Sequence, residues 1–244
     1  MEKGVFQQIH FTDLGSKGYK EVWDLQEQLL VRMTDSKRRV AAGGQEHAPV
    51  HHLLFVEHPP VFTLGKSGKE EHVLISPEER ERLGVSFYKT NRGGDITFHG
   101  PGQIVGYPIL DLEQFYTDIG RYLRNLEEVI IRTLAFYGIT GERSTGETGV
   151  WIEPGTKGRE RKICAMGVRC SRWVTMHGFA FNVNTDLNYF DQIVPCGISD
   201  RPVGRLADWI PGLSCEQVRP LLLDAVAARF GLRWSSWQIG RAHV

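Results

Sequence analysis

Cysteine is scarce in this sequence, and the few cysteines present do not suggest a disulfide framework. The 244 residues contain four, at Cys164, Cys170, Cys196 and Cys215, and no two form a Cys-x-x-Cys pair. They are too sparse for a disulfide scaffold, so a reducing, cytoplasmic setting is expected. There, a cysteine is either a small buried hydrophobe or a reactive thiol.

Long apolar runs and a charge imbalance are also missing. No run of 18 apolar residues occurs, so no membrane span is predicted, and residues 1–10 lack the apolar stretch of a secretory signal. Lys+Arg and Asp+Glu both number 29, which removes the usual charge signature of a nucleic-acid-binding protein. The nine histidines show no metal-binding spacing, so no metal is expected.

What is present is a mixture of short apolar runs and a few amphipathic helices. Helices are predicted over residues 17–36, 77–84, 119–137 and 215–230, the second and fourth starting at capping serines. Strands are predicted over 5–11, 53–57, 61–64, 85–88, 104–110, 149–153, 162–170 and 173–183. Pro108 favours a sheet edge or a bulge for its strand.

This mixture predicts an α/β (mixed α+β) fold in a single domain over residues 1–238. Residues 239–244 read Ile-Gly-Arg-Ala-His-Val. They are interpreted as a tail of doubtful origin, because a common sequencing-adapter oligonucleotide would encode the same residues. No function is assigned to them.

A glycine-rich segment, NRGGDITFHGPGQ, covers residues 91–103. Its glycines and proline argue against a plain strand and allow the backbone to approach a ligand closely. Arg92 is a candidate to bind a carboxylate or phosphate, and His99 to donate to a carbonyl. The alternative is a glycine-rich hairpin with a capping arginine and a satisfied histidine. The segment matches neither the phosphate-loop nor the dinucleotide-binding pattern.

Cys196 stands between Pro195 and Gly197, which indicates a turn and an accessible, reactive thiol. The alternative is a structural cysteine. Lys162 lies where a charged loop becomes an apolar strand, and partial desolvation there makes it a candidate base. The alternative is an exposed lysine at a strand end. The remaining cysteines are expected to serve packing.

The segment MHGFAFN, residues 176–182, packs aromatic residues around small ones. Gly178 and Ala180 leave room for an apolar chain to lie against the backbone. His177 is interpreted as a satisfied core or edge histidine rather than a ligand.

In their residues and in their order along the chain, these segments resemble the bacterial lipoyl(octanoyl) transferases, the octanoyl-[acyl carrier protein]–protein N-octanoyltransferase family. The resemblance covers about residues 55–201. Its motifs are EHPPVFTLG (57–65), RGGDITFHGPGQ (92–103), TGVW (148–151), KICAMGV (162–168), HGFAFNV (177–183) and IVPCGI (193–198). Several separate motifs in one order are far more specific than a single glycine-rich loop.

The resemblance implies a cysteine–lysine dyad, with Cys196 as the acyl-thioester nucleophile and Lys162 as the lysine that activates it. It implies an α/β core shared with the lipoate and biotin ligases. One departure is Cys164, where the family often has alanine. The substrate-binding residues it implies are Arg92, Gly93, Gly94, Asp95, Ile96, Thr97, Phe98, His99, Ala165, Met166, Gly167, Gly178, Phe179 and Ala180.

The implied reaction is the first step of endogenous protein lipoylation. The donor is octanoyl-acyl carrier protein, and Cys196 takes the octanoyl group as a thioester. The acceptor is a lysine of the lipoyl domains of 2-oxoacid dehydrogenase complexes or of the glycine cleavage H protein. Thioester exchange requires no ATP, so no cofactor is expected, nor any nucleic-acid or membrane partner.

Three alternatives stay open. An ATP-dependent lipoate ligase on the same fold would need no cysteine nucleophile, which Cys196 in its Pro-Cys-Gly setting argues against. A papain-type hydrolase would need a different local signature around its cysteine, and that signature is absent. A non-catalytic acyl-binding module is the third alternative.

Overall fold

The computed structural model describes residues 7–44, 50–194 and 203–239, and Cys196 lies outside these ranges. The strands are β1 Gln7–Ser16, β2 His51–Glu57, β3 Val61–Leu64, β4 Ser86–Lys89, β5 Ile96–His99, β6 Gln103–Ile109, β7 Val150–Ile152, β8 Arg161–Ser171, β9 Val174–Asn182 and β10 Leu232–Ile239. The α-helices are α1 Tyr19–Ala41, α2 Pro77–Arg82, α3 Ile119–Phe136 and α4 Cys215–Phe230.

The strands form two sheets. The larger has seven strands in the order β10-β1-β2-β6-β9-β8-β7, and the smaller has three in the order β4-β3-β5. β1 pairs in parallel with β10 and β2, whereas the remaining pairings of the larger sheet are antiparallel. The His58-Pro59-Pro60 turn therefore carries the chain from one sheet into the other.

The helices cover both faces of the larger sheet. α1 buries Val22, Leu30 and Met33 on one face, where they pack with residues of β2, β6 and β9. α3 and α4 pack on the opposite face in the main core, together with apolar residues from β1, β2, β6, β8 and β9. This arrangement confirms the predicted mixed α/β fold.

Capping residues set the helix ends as local rules predict. The side chain of Asp118 accepts from the Arg121 amide at the start of α3 (2.9 Å), and Gly138 follows its last turn with φ 73°. Ser214 opens α4 with a capping box, and Gly231 closes it in the left-handed conformation. The predicted capping serines, Ser76 and Ser214, and the predicted ends of α3 and α4 are thus confirmed to within one residue.

The prediction that Pro108 favours a sheet edge is wrong. Its strand, β6, lies inside the sheet between β2 and β9. β6 pairs with β9 up to Gly106–Phe179 and again at Asp111–Val174. That register places Pro108 opposite His177, whose φ is 58°. A proline fits this interior strand because the regular β6–β9 pairing is interrupted between Gly106 and Asp111, so no ladder hydrogen bond from an amide at position 108 is required.

Other differences are extensions and two strands that were not predicted. β1 and α1 run further than predicted, and residues Ile96–His99 of the glycine-rich segment form a strand after all. β10 was not predicted, and its pairing with β1 includes the backbone of Ile239. None of the described helices combines the length and apolar character that a membrane crossing requires.

Candidate active site

A cavity of about 540 Å³ lies along β8, where the glycine-rich segment meets that strand. This volume is within the range of small-molecule sites, roughly 300–1,000 Å³. The amide of Gly93 donates to the carbonyl of Val168 on β8 (2.9 Å), which fixes the segment to the strand. Apolar parts of the wall come from β6, β8, β9 and α3, namely Val105, Ile119, Leu123, Met166, Phe179 and Ala180.

A β-bulge in β8 decides which way Lys162 points. β7 pairs Val150 with Cys164 but Trp151 with Lys162, so β8 holds one extra residue between these pairs. Ile163 and Cys164 consequently both belong to the main core. Lys162 then shares a strand face with Ala165, three residues away, which a regular strand would place on the opposite face. Both side chains line the cavity.

Lys162 is held in the cavity wall by a charge and a ring. Its side chain is only 14% exposed, and its ammonium lies 3.6 Å from a carboxylate oxygen of Glu147. The same ammonium lies 4.9 Å from the ring centroid of Trp151. The lysine therefore sits at the buried end of the predicted strand, with its charge compensated. This contradicts the alternative of an exposed lysine at a strand end.

Arg92 organises the glycine-rich segment from inside. Arg92 is only 7% exposed. Its guanidinium donates to the carbonyl of Thr63 (2.6 Å), to the hydroxyl of Thr63 (3.0 Å) and to the carbonyl of Gly93 (2.9 Å). A Cβ at Gly167 would lie 2.6 Å from the Gly93 carbonyl and 3.2 Å from Arg92 Cδ. The glycines thus permit close packing around Arg92, in agreement with the capping-arginine alternative.

The histidines around the cavity are neutral at physiological pH. Burial lowers the pKa of His58 and of His177 to about 4 and about 3, and holds that of His99 well below its usual value. His99 Nδ1–H donates to the amide carbonyl of Gln103 (2.8 Å). His177 is buried as expected but only partly satisfied: Nε2–H donates to Asn91 (2.7 Å) and the backbone amide donates to the Gln26 side chain (2.8 Å), whereas Nδ1 has no hydrogen-bond partner among the described residues.

The structure brings most of the predicted substrate-binding residues to this cavity. Phe98 is the described residue that it places elsewhere: its ring is buried and stacks on Tyr189 with centroids 4.5 Å apart. The residues that line the cavity as predicted are Arg92, Gly93, Gly94, Asp95, Ile96, Thr97, His99, Ala165, Met166, Gly167, Gly178, Phe179 and Ala180.

Several lining residues were missed by sequence reasoning. Tyr19 lies in a segment predicted only as a helix and Tyr107 in one predicted only as a strand, and both line the cavity. Gln103 and Asn182 stand inside quoted motifs but were given no role. Glu147 directly precedes the TGVW motif, and that adjacency was the one available signal.

Cys196 falls outside the described residues, but the described chain on both sides is attached near the site. The amide of Val194 donates to the carbonyl of His72 (2.8 Å). Val203, which lines the cavity, forms a parallel bridge with Lys162.

The other cysteines pack as expected. Cys164 and Cys215 are buried, and Cys170 is half-buried. Burial raises the pKa of the Cys164 thiol beyond its usual range and that of Cys215 to about 12. Within the described ranges, no group of three or more His, Cys, Asp or Glu residues is placed to hold a metal ion.

Solved structures show the same fold at low sequence identity. The lipoate protein ligase of the bipartite lipoylation system from Thermoplasma acidophilum superposes with a TM-score of 0.69 at 16% identity, covering 97% of this chain and 88% of that one. A lipoate-protein ligase A bound with ATP gives a TM-score of 0.68 at 13% identity, covering 98% and 90%. The predicted likeness to the lipoate ligase core is confirmed.

Sequence relatives are much more similar. The family model described as the lipoyl protein ligase A/B catalytic domain matches residues 18–227. The octanoyltransferase of Flavobacterium psychrophilum is 60% identical over 198 residues, covering 81% of this chain and 85% of that one. The octanoyltransferase of Cytophaga hutchinsonii is 49% identical over 235 residues, covering 95% and 96%. The chain therefore belongs to the lipoyl protein ligase A/B catalytic-domain family and, within it, is an acyltransferase of the octanoyltransferase family.

Proposed function

We propose that this enzyme transfers an octanoyl group from octanoyl-acyl carrier protein to a lysine of a lipoyl domain, through a thioester on Cys196. The acceptors are the lipoyl domains of 2-oxoacid dehydrogenase complexes and the glycine cleavage H protein, met in the cytoplasm. The observation that carries the proposal is Lys162 in the wall of a largely apolar cavity, paired with Val203 on the chain that returns after Cys196.

The first half-reaction exchanges one thioester for another. In its neutral amine form, Lys162 takes the proton of the Cys196 thiol and becomes the ammonium that pairs with Glu147. The thiolate then attacks the carbonyl carbon of the donor thioester. The tetrahedral intermediate collapses by breaking the bond to the carrier sulfur. The Lys162 ammonium returns its proton to that sulfur, which leaves as a thiol.

The second half-reaction forms the amide. The neutral amine of the acceptor lysine attacks the Cys196 thioester, and the carbon–sulfur bond breaks. One amine proton passes to Lys162 and from there to the Cys196 sulfur, which restores the starting enzyme. Because the energy comes from the donor thioester, the cycle consumes no ATP.

The cavity suits an apolar acyl chain. Its β-strand wall presents Val105, Phe179 and Ala180, and α3 adds Ile119 and Leu123. Each buried methylene contributes about 0.8 kcal/mol, so attraction alone separates neighbouring chain lengths weakly. Residues 92–97 and His99 of the glycine-rich segment, with the small residues Gly167 and Gly178, would line the acyl chain and its thioester end.

Intact mass measurement tests the proposal. Purified protein is incubated with octanoyl-carrier protein without acceptor or ATP. We expect the mass of one octanoyl group to be added, removed by hydroxylamine and absent in Cys196→Ser. Cys170→Ser is the matched control and should acylate like the wild type. The proposal would be wrong if the wild-type protein stayed unmodified and instead transferred free octanoate or lipoate, and did so only with ATP. That result would identify the enzyme as a ligase.

A further inference from the structure

A continuous chain of buried hydrogen bonds joins the glycine-rich segment to the backbone of Lys162. His99 Nδ1 bonds Gln103 Oε1 (2.8 Å), and Gln103 Nε2 bonds Asn182 Oδ1 (2.8 Å). Asn182 Nδ2 then bonds the carbonyl of Gly204 (3.1 Å), and the amide of Gly204 donates to the carbonyl of Lys162 (3.0 Å). This series of hydrogen bonds therefore ends on Lys162, whose side chain enters the cavity.

Both ends of this chain determine the direction of its bonds. Gln103 Nε2 also faces the carbonyl of Phe98 (3.1 Å), which can only accept, so the amide oxygen of Gln103 must face His99. At the other end the carbonyl of Gly204 can only accept, so Asn182 must present its nitrogen there. The two requirements agree on one orientation for each amide.

The position of Asn182 shows which part of the polypeptide these hydrogen bonds hold in place. Gly204 and Val203 are where the described chain resumes after residues 195–202, and Val203 bridges Lys162. Asn182 is 3% exposed and lies at the end of β9, next to the bulged part of β8. Its amide thus fixes the returning chain against the strand that carries Lys162.

We infer that Asn182 is a positioning residue for acyl transfer, acting through Gly204 to hold Lys162 and Val203 in register. The inference rests on the proposed function, in which Lys162 moves the proton. Both polar atoms of Asn182 are engaged by protein groups, so its effect reaches the reaction through the backbone. A displacement of about 1 Å at a reacting group can cost on the order of 100-fold in rate.

Asn182→Asp is the test, because it keeps the shape and the acceptor but replaces the donor to Gly204 with an oxygen. We expect kcat for octanoyl transfer to fall roughly 10- to 100-fold, with the KM for the octanoyl donor near its wild-type value. Hydrogen exchange at the Gly204 amide should become faster. Asn188→Asp, an exposed asparagine six positions further along, should leave all three quantities unchanged.

A second variant protects the test against misfolding. Asn182→Ser introduces neither the negative charge of Asn182→Asp nor a second acceptor against the Gly204 carbonyl, so it should retain more activity than Asn182→Asp. Wild-type kcat in a folded Asn182→Asp protein would overturn the inference. If both variants fail to fold, exchange in the wild type decides: a Gly204 amide that exchanges like an unstructured peptide overturns it, and a protected one supports it.

The two proposals fail in different ways. A wild-type protein that forms no octanoyl thioester with Cys196 overturns the proposed function and this inference together. An active wild type, with Asn182→Asp unaltered in kcat and in Gly204 exchange, overturns the positioning role alone.

Discussion

Gly149 leaves the space in which the side chain of Lys162 lies. A Cβ at this position would be 3.0 Å from Lys162 Cε and 2.5 Å from the carbonyl oxygen of Cys164, and the φ of Gly149 is 124°. The Gly149 amide donates to Glu127 (3.1 Å), a carboxylate of α3 with no exposed surface that also binds Arg143 (2.9 Å). The lysine is thus packed against a backbone that α3 holds from behind.

Gly149→Ala should therefore lower both stability and activity. The added methyl group meets a backbone carbonyl that cannot yield easily, and overpacking of this kind costs about 1–3 kcal/mol. Gly155→Ala is the control: its φ is also positive, 83°, and apart from Gly155 itself and its two chain neighbours no heavy atom of the described chain lies within 4 Å of the added Cβ. Urea denaturation should show the larger loss for Gly149→Ala, and equal losses would contradict the packing argument.

Lys162→Met should keep the fold but abolish efficient transfer. Methionine can still pack on the Trp151 ring and fill most of the space, whereas the proton-transferring amine is lost. General acid–base groups contribute about 100- to 10,000-fold, and we expect a fall of that size in the rate of Cys196 acylation. The measurement is single-turnover acylation followed by mass spectrometry, with circular dichroism to verify folding. A rate within threefold of wild type would remove Lys162 from the mechanism.

Stability should fall as the pH is lowered from about 6.5 towards 4. Burial lowers the pKa of His58 to about 4 and that of His177 to about 3, whereas in the unfolded chain both titrate near 6.5. The unfolded state therefore binds more protons in this window, so the free energy of unfolding rises with pH there. The stabilisation is complete above pH 6.5 and is lost as the pH falls through the folded-state values.

The slope provides the check. A difference of one pKa unit between the folded and unfolded states is worth about 1.4 kcal/mol. The free energy of unfolding from chemical denaturation should therefore be lower at pH 5 than at pH 7.5 by roughly 2 kcal/mol for each such histidine. His58→Gln, which retains a donor for the carbonyl of Lys17, should show a smaller difference between the two pH values than the wild type. An identical dependence in variant and wild type would mean that folding does not change the proton affinity of His58.

Alkylation should separate the four cysteines. Cys164 and Cys215 are buried and burial raises their pKa, so native protein at pH 7.5 should resist iodoacetamide at both positions. Cys196 should react first if it is the activated nucleophile, and half-buried Cys170 more slowly. Peptide mapping after brief labelling measures this order, with urea-unfolded protein as the reference for equal reactivity. Preferential labelling of Cys164 would contradict the described core.

The limits of α3 and α4, the helix caps and most strands followed from local sequence, because these features depend on residues within one or two turns of one another. Ser76, Asp118 and Ser214 hold helix ends that short-range hydrogen bonds alone define. The motif order was also enough to gather most of the cavity wall, although it did not show that the Phe98 side chain points into the core.

Other features depend on pairings between distant parts of the chain. Pro108 is interior because β6 meets both β2 and β9, and β10 exists because β1 offers a parallel partner more than two hundred residues earlier. The face of Lys162 depends on a bulge that arises where β7 and β8 pair. No local periodicity carries this information, since one extra residue in a strand reverses every side chain beyond it.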